Sequence, residues 1–160
     1  HKGGREVLGE PEARTNDATM YVPGTDGAKM SKSKGNTIDP FADAKTLKKV
    51  INKQIITDAT PLEDPKDPDS SVAYQLYKLV ASESDAAQMA SKLSAGGYGW
   101  GHAKKDLLEA LVDGFAKERD TFNRYMNDLP ALDSELQKGA EKARVVATAT
   151  VGRLRNALGY

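Results

Sequence analysis

Residues 101–126, GHAKKDLLEALVDGFAKERDTFNRYM, decide the fold class that the sequence predicts. Apolar residues recur there every three or four positions, which puts them on one side of a helix of roughly six turns. Pro130 is expected to end this helix, since proline cannot continue the hydrogen-bond ladder. The apolar positions are Leu107, Leu108, Leu111, Val112, Phe115, Phe122, Tyr125 and Met126. The pattern predicts a mainly α-helical protein.

Four further helical patterns flank this segment. The first begins after Asp39 or Asp43, either of which can cap it, and the second begins after the capping cluster 69–71. The third covers residues 84–93 and ends at a Gly-Gly pair, and the fourth closes the chain. The apolar positions are Leu47, Val50, Ile51 and Ile55 in the first helix; Val72, Leu76, Leu79 and Val80 in the second, with Tyr74 and Tyr77 beside them; and Leu136, Ala140, Ala143, Ala147, Val151, Leu154 and Leu158 in the fourth.

Two stretches lack helical periodicity. Residues 1–40 contain six of the fourteen glycines and two short extended pieces, at 5–8 and 19–22. Residues 57–69 contain three prolines and five carboxylates against one lysine, which predicts a solvated acidic linker. The chain therefore divides into a glycine-rich piece, residues 1–40, and a helical bundle, residues 41–160.

The composition excludes several classes of site. The 160 residues carry 23 basic and 23 acidic side chains, so no net field attracts nucleic acid and any such contact needs a local patch. Without cysteine there is no disulfide, thiolate metal site or cysteine nucleophile, and we expect no protein-bound metal. No apolar run spans a membrane and no signal-peptide pattern occurs, so we expect a cytoplasmic protein. The start at His1 suggests a processed chain, a tag remnant or an excised fragment.

The segment richest in chemistry is residues 27–36, GAKMSKSKGN, which we call the lysine loop. Lys29, Lys32 and Lys34 alternate there with small residues between two glycines. An ammonium group is a compact, flexible point charge, and it suits a polyphosphate whose charge grows in a transition state. The spacing is not that of a P-loop. The alternative interpretation is a solvated, lysine-rich linker.

Lys29-Met30-Ser31-Lys32-Ser33 is similar to the KMSKS signature of the class I aminoacyl-tRNA synthetases. The flanking residues 23–27, 36–38, 47–58 and 97–104 resemble the bacterial tryptophanyl-tRNA synthetases, and the resemblance covers essentially all 160 residues. It implies the tail end of a Rossmann-type α/β nucleotide-binding domain in residues 1–40 and a helical, anticodon-binding-type domain in residues 41–160. The family's HIGH-type motif, tryptophan pocket and nucleotide-binding sheet are missing. The sequence thus resembles the C-terminal half of such a synthetase, and this half is expected to be inactive alone.

The resemblance also implies roles for single residues. Lys32 would contact the pyrophosphate of ATP as the adenylate forms, and Lys29 would assist on the same phosphates. Met30 would lie near the adenine, and Met20 falls where the family brings a backbone group to the adenine edge. The implied ATP-binding set is Lys29, Met30, Ser31, Lys32, Ser33 and Met20, with Lys32 and Lys29 catalytic. ATP with Mg²⁺, tryptophan and tRNA-Trp are the implied substrates and partners, and the full-length parent is expected to be a homodimer.

A basic stretch near the C-terminus is a candidate tRNA contact. Residues 138–155 carry a net charge of +4, which can engage RNA phosphates. In the resembled family this helical domain recognises the anticodon arm; the alternative is an ordinary basic helix face. The candidate residues are Lys138, Lys142, Arg144, Arg153 and Arg155.

Several alternatives stay open from the sequence. Trp100 is interpreted as a core plug at a helix start rather than a stacking platform for a base. His102 is interpreted as a capping or solvated residue rather than an acid or base. For the whole chain, the alternatives to a tryptophan-specific enzyme are the same region of a tyrosyl-type class I synthetase and a non-catalytic helical RNA-binding or interaction module.

Overall fold

The computed structural model describes residues 8–9, 11–15 and 21–159. In this part of the chain no strand forms, and a single antiparallel bridge joins Pro23 and Lys29. The mainly helical prediction is confirmed. A short 3-10 helix covers Lys32–Lys34, and the α-helices are α1 (Ala44–Gln54), α2 (Val72–Tyr77), α3 (Glu83–Ala95), α4 (Trp100–Gly114), α5 (Ala116–Asn127) and α6 (Leu129–Leu158).

Short polar side chains begin the first three helices. The Asp43 carboxylate accepts a hydrogen bond from Thr46 N at 2.9 Å, so Asp43 rather than Asp39 caps α1. The Ser71 hydroxyl accepts from Tyr74 N at 3.2 Å and caps α2. Ser82 does the same for α3, which ends before Gly96. Each cap satisfies a backbone N–H that the helix itself leaves without a partner.

The single helix predicted over residues 101–126 is wrong, because the structure has two helices there. α4 ends at Gly114, and Phe115 leaves the helical region with φ −107° and ψ 14° before α5 begins. Glycine is a poor helix former, which weakens this turn. Pro130 does not end α5 either: it lies in the first turn of α6, where its missing N–H breaks no helix bond.

The second predicted helix is shorter than its apolar pattern. α2 ends at Tyr77, and Leu79 lies beyond it with 37% of its surface exposed, so Leu79 is not part of a buried face. Tyr74 is buried and Tyr77 packs against the core, as predicted for both tyrosines. The residues after Tyr77 turn toward Ser82, which starts α3.

The core of residues 15–122 lies where α4 packs against α1 and α2, and α2 packs against α3. Burying each large apolar side chain there contributes about 1.5–3 kcal/mol. Val22, Met30 and Ile38 pack against this core from the segment that holds the lysine loop. The largest fully buried side chains are Leu47, Ile51, Met89, Leu93 and Leu107.

The described residues divide into two compact units, one within 15–122 and a second of residues 123–159 with 8–9 and 11–14. In the second unit, α6 is long and has no buried residue, and Val145 is 73% exposed. The extended pieces predicted at 5–8 and 19–22 lie largely outside the described residues. Among the described helices, none is both long and apolar enough to cross a membrane.

Candidate functional site

The backbone before the lysine loop folds into a tight turn. Gly24 N donates to Ala28 O at 2.7 Å, and Gly27 N donates to Gly24 O at 3.0 Å. Met30 N donates to Val22 O at 2.9 Å, which brings the first part of the loop back beside the incoming chain. The loop therefore starts from a hydrogen-bonded base rather than from a free linker.

Asn36 ties the two ends of the loop together. It is only 3% exposed, and its Oδ1 accepts a hydrogen bond from Ser31 N at 2.8 Å. Its Nδ2 donates to Asp26 Oδ1 at 2.7 Å and to Lys29 O at 3.3 Å. Its backbone oxygen accepts from Thr25 N at 2.9 Å. One buried amide thus holds the backbone on both sides of the KMSKS-like segment.

Charge and close packing support the Asn36 contacts. The hydrogen bond from Asn36 is the main cause that holds the pKa of Asp26 below its ordinary value, with a further bond from Ala28 N. The Asp26 carboxylate therefore stays ionised and remains an acceptor for the amide. Gly24 has to be glycine here, because a Cβ on it would overlap the Asn36 side chain.

The tip of the loop presents its cations to solvent. Lys32–Lys34 form the 3-10 helix, and Gly35 ends it with φ 67°, a left-handed conformation that suits glycine. The hydroxyl groups of Ser31 and Ser33 lie 2.8 Å apart and share a hydrogen bond. Lys29 and Lys32 are exposed, and neither belongs to an ion pair within the described residues. The arrangement can receive an anion without first breaking a salt bridge.

Of the two methionines of the predicted site, the structure describes Met30 but not Met20. The Met30 side chain is half-buried against the helical core, and its backbone N–H is bonded to Val22 O. Met20 lies outside the described residues.

The acidic linker is more ordered than predicted. Lys66 is only 4% exposed, and its ammonium group donates to Pro61 O at 2.7 Å, Leu62 O at 3.0 Å and Asp64 O at 2.8 Å. The prediction of a solvated linker is therefore wrong at Lys66, because three backbone carbonyls replace its water. The carboxylates around it are exposed, and no described group of three His, Cys, Asp or Glu side chains has the geometry of a metal site.

Trp100 and His102 have the structural roles that the sequence predicts. Trp100 packs against the core, and its Nε1 donates to Asp58 Oδ1 at 3.0 Å. Asp58 also accepts from Thr60, and these hydrogen bonds lower its pKa. The Nδ1 of His102 accepts from Gly99 N at 3.2 Å, which places this histidine at the start of α4 as a cap.

A cavity of about 350 Å³ lies beside Trp100 and near the base of the lysine loop. Ile56 and Val72 line it, and a Cβ on Gly27 would meet their side chains at 3.5 and 3.3 Å. Ile56 N also donates to Thr25 O at 2.9 Å. The turn that precedes the loop is therefore fixed to the helical part of the same unit.

Lys104 and Arg119 each donate hydrogen bonds to carbonyls at the end of a helix, a role that the sequence does not predict. Lys104 Nζ donates to Ile55 O at 2.7 Å and to Asn52 O at 3.2 Å at the C-terminus of α1, and burial lowers its pKa. A cation at this end of a helix also meets the negative pole of the helix dipole. Arg119 donates to Pro40 O at 2.8 Å and to the last carbonyls of α4. No local sequence pattern identifies the contacts of Lys104 or the contact of Arg119 with Pro40 O, because these partners are distant in the chain.

The basic residues of α6 do not line a single face. Lys138, Lys142 and Arg153 fall on one side of a helix with 3.6 residues per turn, and Arg144 and Arg155 lie about 140° away. All five are exposed, and Lys138 pairs with Glu135 at 2.6 Å.

Comparison with known proteins places these features in a family. Residues 1–116 match the model described as tRNA synthetases class I (W and Y). A tryptophan–tRNA ligase of Rhodopirellula baltica is 41% identical over 99% of this chain and 49% of the relative, and one of Campylobacter jejuni is 40% identical over 96% and 48%. The crystal structure of the Campylobacter jejuni tryptophanyl-tRNA synthetase complexed with ADP and tryptophan superposes with a TM-score of 0.81, at 40% identity over 96% of this chain and 48% of that one.

The chain thus spans about half the length of the curated relatives it matches. The predicted resemblance to the tryptophanyl-tRNA synthetases is confirmed, and these relatives do not favour the tyrosyl-type or the non-catalytic alternative.

Proposed function

We propose, because this chain belongs to the class I tRNA synthetases (W and Y), that it supplies the ATP-phosphate loop and tRNA-binding helices of a tryptophan–tRNA ligase. In that reaction a carboxylate oxygen of tryptophan attacks the α-phosphorus of ATP, and pyrophosphate leaves as tryptophanyl-adenylate forms. A hydroxyl at the 3′ end of tRNA-Trp then takes the tryptophanyl group and releases AMP. The HIGH-type motif, the tryptophan pocket and the nucleotide-binding sheet would come from the rest of the ligase.

The observation that carries this proposal is the anchoring of the lysine loop by Asn36. The amide fixes Ser31 N and Lys29 O, while the ammonium groups of Lys29 and Lys32 are exposed. Because the backbone is fixed and the cations are exposed, the lysines can reach a polyphosphate without refolding the loop. Preorganised donors of this kind stabilise charge that develops in a transition state.

The site residues divide by the part of ATP that they meet. Lys32 binds the departing pyrophosphate, and Lys29 assists on the same phosphates. Ser31 and Ser33 shape the tip through their shared hydrogen bond and offer hydroxyls to the phosphates. Met30 contributes backbone contacts near the adenine, and Met20 stays a prediction outside the described residues. The loop is in this proposal the KMSKS loop of the ligase, at the end of its Rossmann-type nucleotide-binding domain.

Magnesium enters this reaction with ATP. Mg²⁺ usually keeps several waters and binds through substrate phosphates rather than through an all-protein cage. Mg²⁺ would therefore arrive bound to the phosphates of ATP, and Lys29 and Lys32 would help to balance the charge of those phosphates. ATP with Mg²⁺ is thus a substrate of the full-length ligase.

The tRNA contact is assigned to the helical part of the chain. The candidates on α6 are exposed and carry a net positive charge, which suits RNA phosphates. A homodimer of the full-length ligase stays a prediction of the resemblance, and a domain boundary near residue 40 and a cytoplasmic location stay predictions from the sequence.

The test is aminoacylation by the full-length ligase that contains this sequence. We expect it to charge tRNA-Trp with tryptophan in the presence of ATP and Mg²⁺, and not with tyrosine. Charging with tyrosine would instead identify the protein as a tyrosyl-type enzyme. Absence of both charging and ATP–pyrophosphate exchange, in a folded protein, would contradict the proposed function.

A further inference from the structure

A basic groove lies between α1 and α4, and it shares no residue with the lysine loop or with α6. Its volume is about 600 Å³, and α1 and α4 pack against each other beneath it. Lys48 and Asn52 line it from α1, and Lys105 and Glu109 line it from α4. The rest of the wall includes Trp100 and Lys104.

The outer face of α1 extends the positive charge beyond the groove. The helix carries four lysines and no carboxylate within its eleven residues. Leu47 and Ile51 point into the core, which leaves the lysines on the exposed side. None of them takes part in an ion pair within the described residues. The four lysines are Lys45, Lys48, Lys49 and Lys53.

The groove and the outer face of α1 carry more positive than negative charge, unlike an ordinary solvated surface. The chain as a whole has no net charge, so positive charge collected on α1 is offset elsewhere, as in the acidic residues 57–69. The one carboxylate on the groove wall, Glu109, lies 3.6 Å from Lys105, and both are exposed. An exposed pair of this kind contributes little and yields readily to a stronger anion. Three lysines, Lys48, Lys104 and Lys105, against this one carboxylate leave the groove wall positive on balance, and a concave positive site concentrates anions.

The length of the lysine-bearing face of α1 indicates which kind of anion fits it. Lys45 and Lys53 are eight residues apart, which corresponds to about 12 Å of helix axis. That distance exceeds one phosphate group and matches a backbone that repeats its charge. Lys104 is already occupied by Asn52 O and Ile55 O, so it braces the groove floor while the outer lysines meet the ligand.

We propose that the α1–α4 groove, with the lysines of α1, binds the phosphodiester backbone of the tRNA. This inference rests on the proposed function and adds a contact surface in residues 15–122 that is separate from the α6 candidates. The contacts are with phosphates, so they position the tRNA and carry no base specificity.

The test is direct binding of tRNA-Trp to the full-length ligase with Lys48→Glu and Lys49→Glu combined. The matched control combines Lys92→Glu and Lys117→Glu, two exposed helical lysines outside the groove, so that both double variants change the net charge equally. We expect the groove variant to raise the dissociation constant roughly tenfold or more, and to make the slope of log K against log salt less negative by about 1.4–1.8. The control variant should bind like the unmodified protein.

Circular dichroism and the thermal midpoint establish that both variants are folded. Unchanged affinity and salt slope in the folded groove variant would overturn the inference, and so would an equal loss in the control, because binding would then follow net charge alone. Either result leaves the proposed function intact if the unmodified ligase charges tRNA-Trp. Failure of the unmodified protein to charge tRNA-Trp counts instead against the proposed function.

Discussion

Single side chains set the geometry of the lysine loop, and Asn36 is the clearest case. Replacing Asn36 by alanine removes the partner of Ser31 N and the donor to Lys29 O and Asp26. A buried polar group that loses its partner costs about 1–3 kcal/mol, which would loosen the loop. We expect Asn36→Ala to lower kcat for ATP–pyrophosphate exchange about 10–100-fold, since displaced catalytic groups lose rate steeply.

The control for this prediction is Asn123→Ala, an exposed asparagine on α5. It should exchange pyrophosphate like the unmodified ligase. KM for tryptophan should stay the same in both variants, because neither residue is assigned to the amino-acid pocket. A normal kcat in a folded Asn36→Ala protein would show that the lysines do not depend on this anchor.

Lys66 is a second residue whose role is structural. Lys66→Met keeps the length of the side chain but leaves three backbone carbonyls without their ammonium donor. The loss is about 1–3 kcal/mol, and each kcal/mol corresponds to about 2–4 °C in the thermal midpoint of a domain of this size. We expect a clear fall in the midpoint measured by differential scanning calorimetry. Lys117→Met, at an exposed position with no described side-chain contact, should melt at the unmodified temperature, and equal midpoints for the two variants would contradict the role of Lys66.

The sequence makes the lysines of the loop conspicuous, but it does not reveal the residues that hold the loop in place. Lys29 and Lys32 stand out because their charges lie close together in a short motif. Asn36 and Lys66 do not stand out, since their importance comes from burial and from partners that only the folded backbone brings near. Lys66 in particular looks solvated in a stretch with five carboxylates, yet it bonds to backbone oxygens instead.

At the scale of helices, Arg119 bridges the break between α4 and α5. Its guanidinium donates to Val112 O and Leu111 O near the end of α4 and to Pro40 O before α1. A lysine keeps the charge but lacks the planar fork that reaches several carbonyls at once. We expect Arg119→Lys to lower the free energy of unfolding by about 1–3 kcal/mol.

Denaturant unfolding measures this loss, with Arg124→Lys as the matched exposed control on α5. Arg124 is near Tyr125 and makes no described hydrogen bond to backbone, so its replacement should change little. Similar curves for both variants would mean that the α4–α5 junction holds without Arg119.

The starts of α1 and α2 are predictable here, whereas the start of α6 and the break between α4 and α5 are not. Asp43 and Ser71 cap their helices through short-range contacts that sequence patterns capture. The break at Phe115 interrupts a stripe whose apolar spacing continues on both sides, so periodicity alone predicts one helix. Gly114 marks a weak point in the sequence, but the contact of Arg119 with Pro40 O, 79 residues away, exists only in the folded chain.

Over the whole molecule, zero net charge conceals a strong separation of charge. Basic residues gather on α1, in the lysine loop and on α6, while residues 57–69 are acidic. Combined charge reversal at Lys142 and Arg144 is expected to weaken tRNA binding to the full-length ligase. The salt slope should become less negative by about 0.7–0.9 for each phosphate that α6 no longer neutralises.

The single reversals identify the side of α6 that docks, because Lys142 and Arg144 lie on different sides of the helix. We expect one single variant to account for most of the weakening in a filter-binding assay. Unchanged affinity in the double variant would remove α6 from the tRNA contact.

The central claim, that the lysine loop stabilises the departing pyrophosphate, is tested most directly by Lys32→Ala beside Lys34→Ala in ATP–pyrophosphate exchange by the full-length ligase. A contact that strengthens in the transition state lowers kcat far more than it raises KM for ATP when it is removed. We predict that Lys32→Ala lowers kcat about 10²–10³-fold, that Lys32→Arg recovers only part of it, and that Lys34→Ala has little effect. Equal and small effects of Lys32→Ala and Lys34→Ala would show that the loop is a solvated linker and contradict the proposed chemistry.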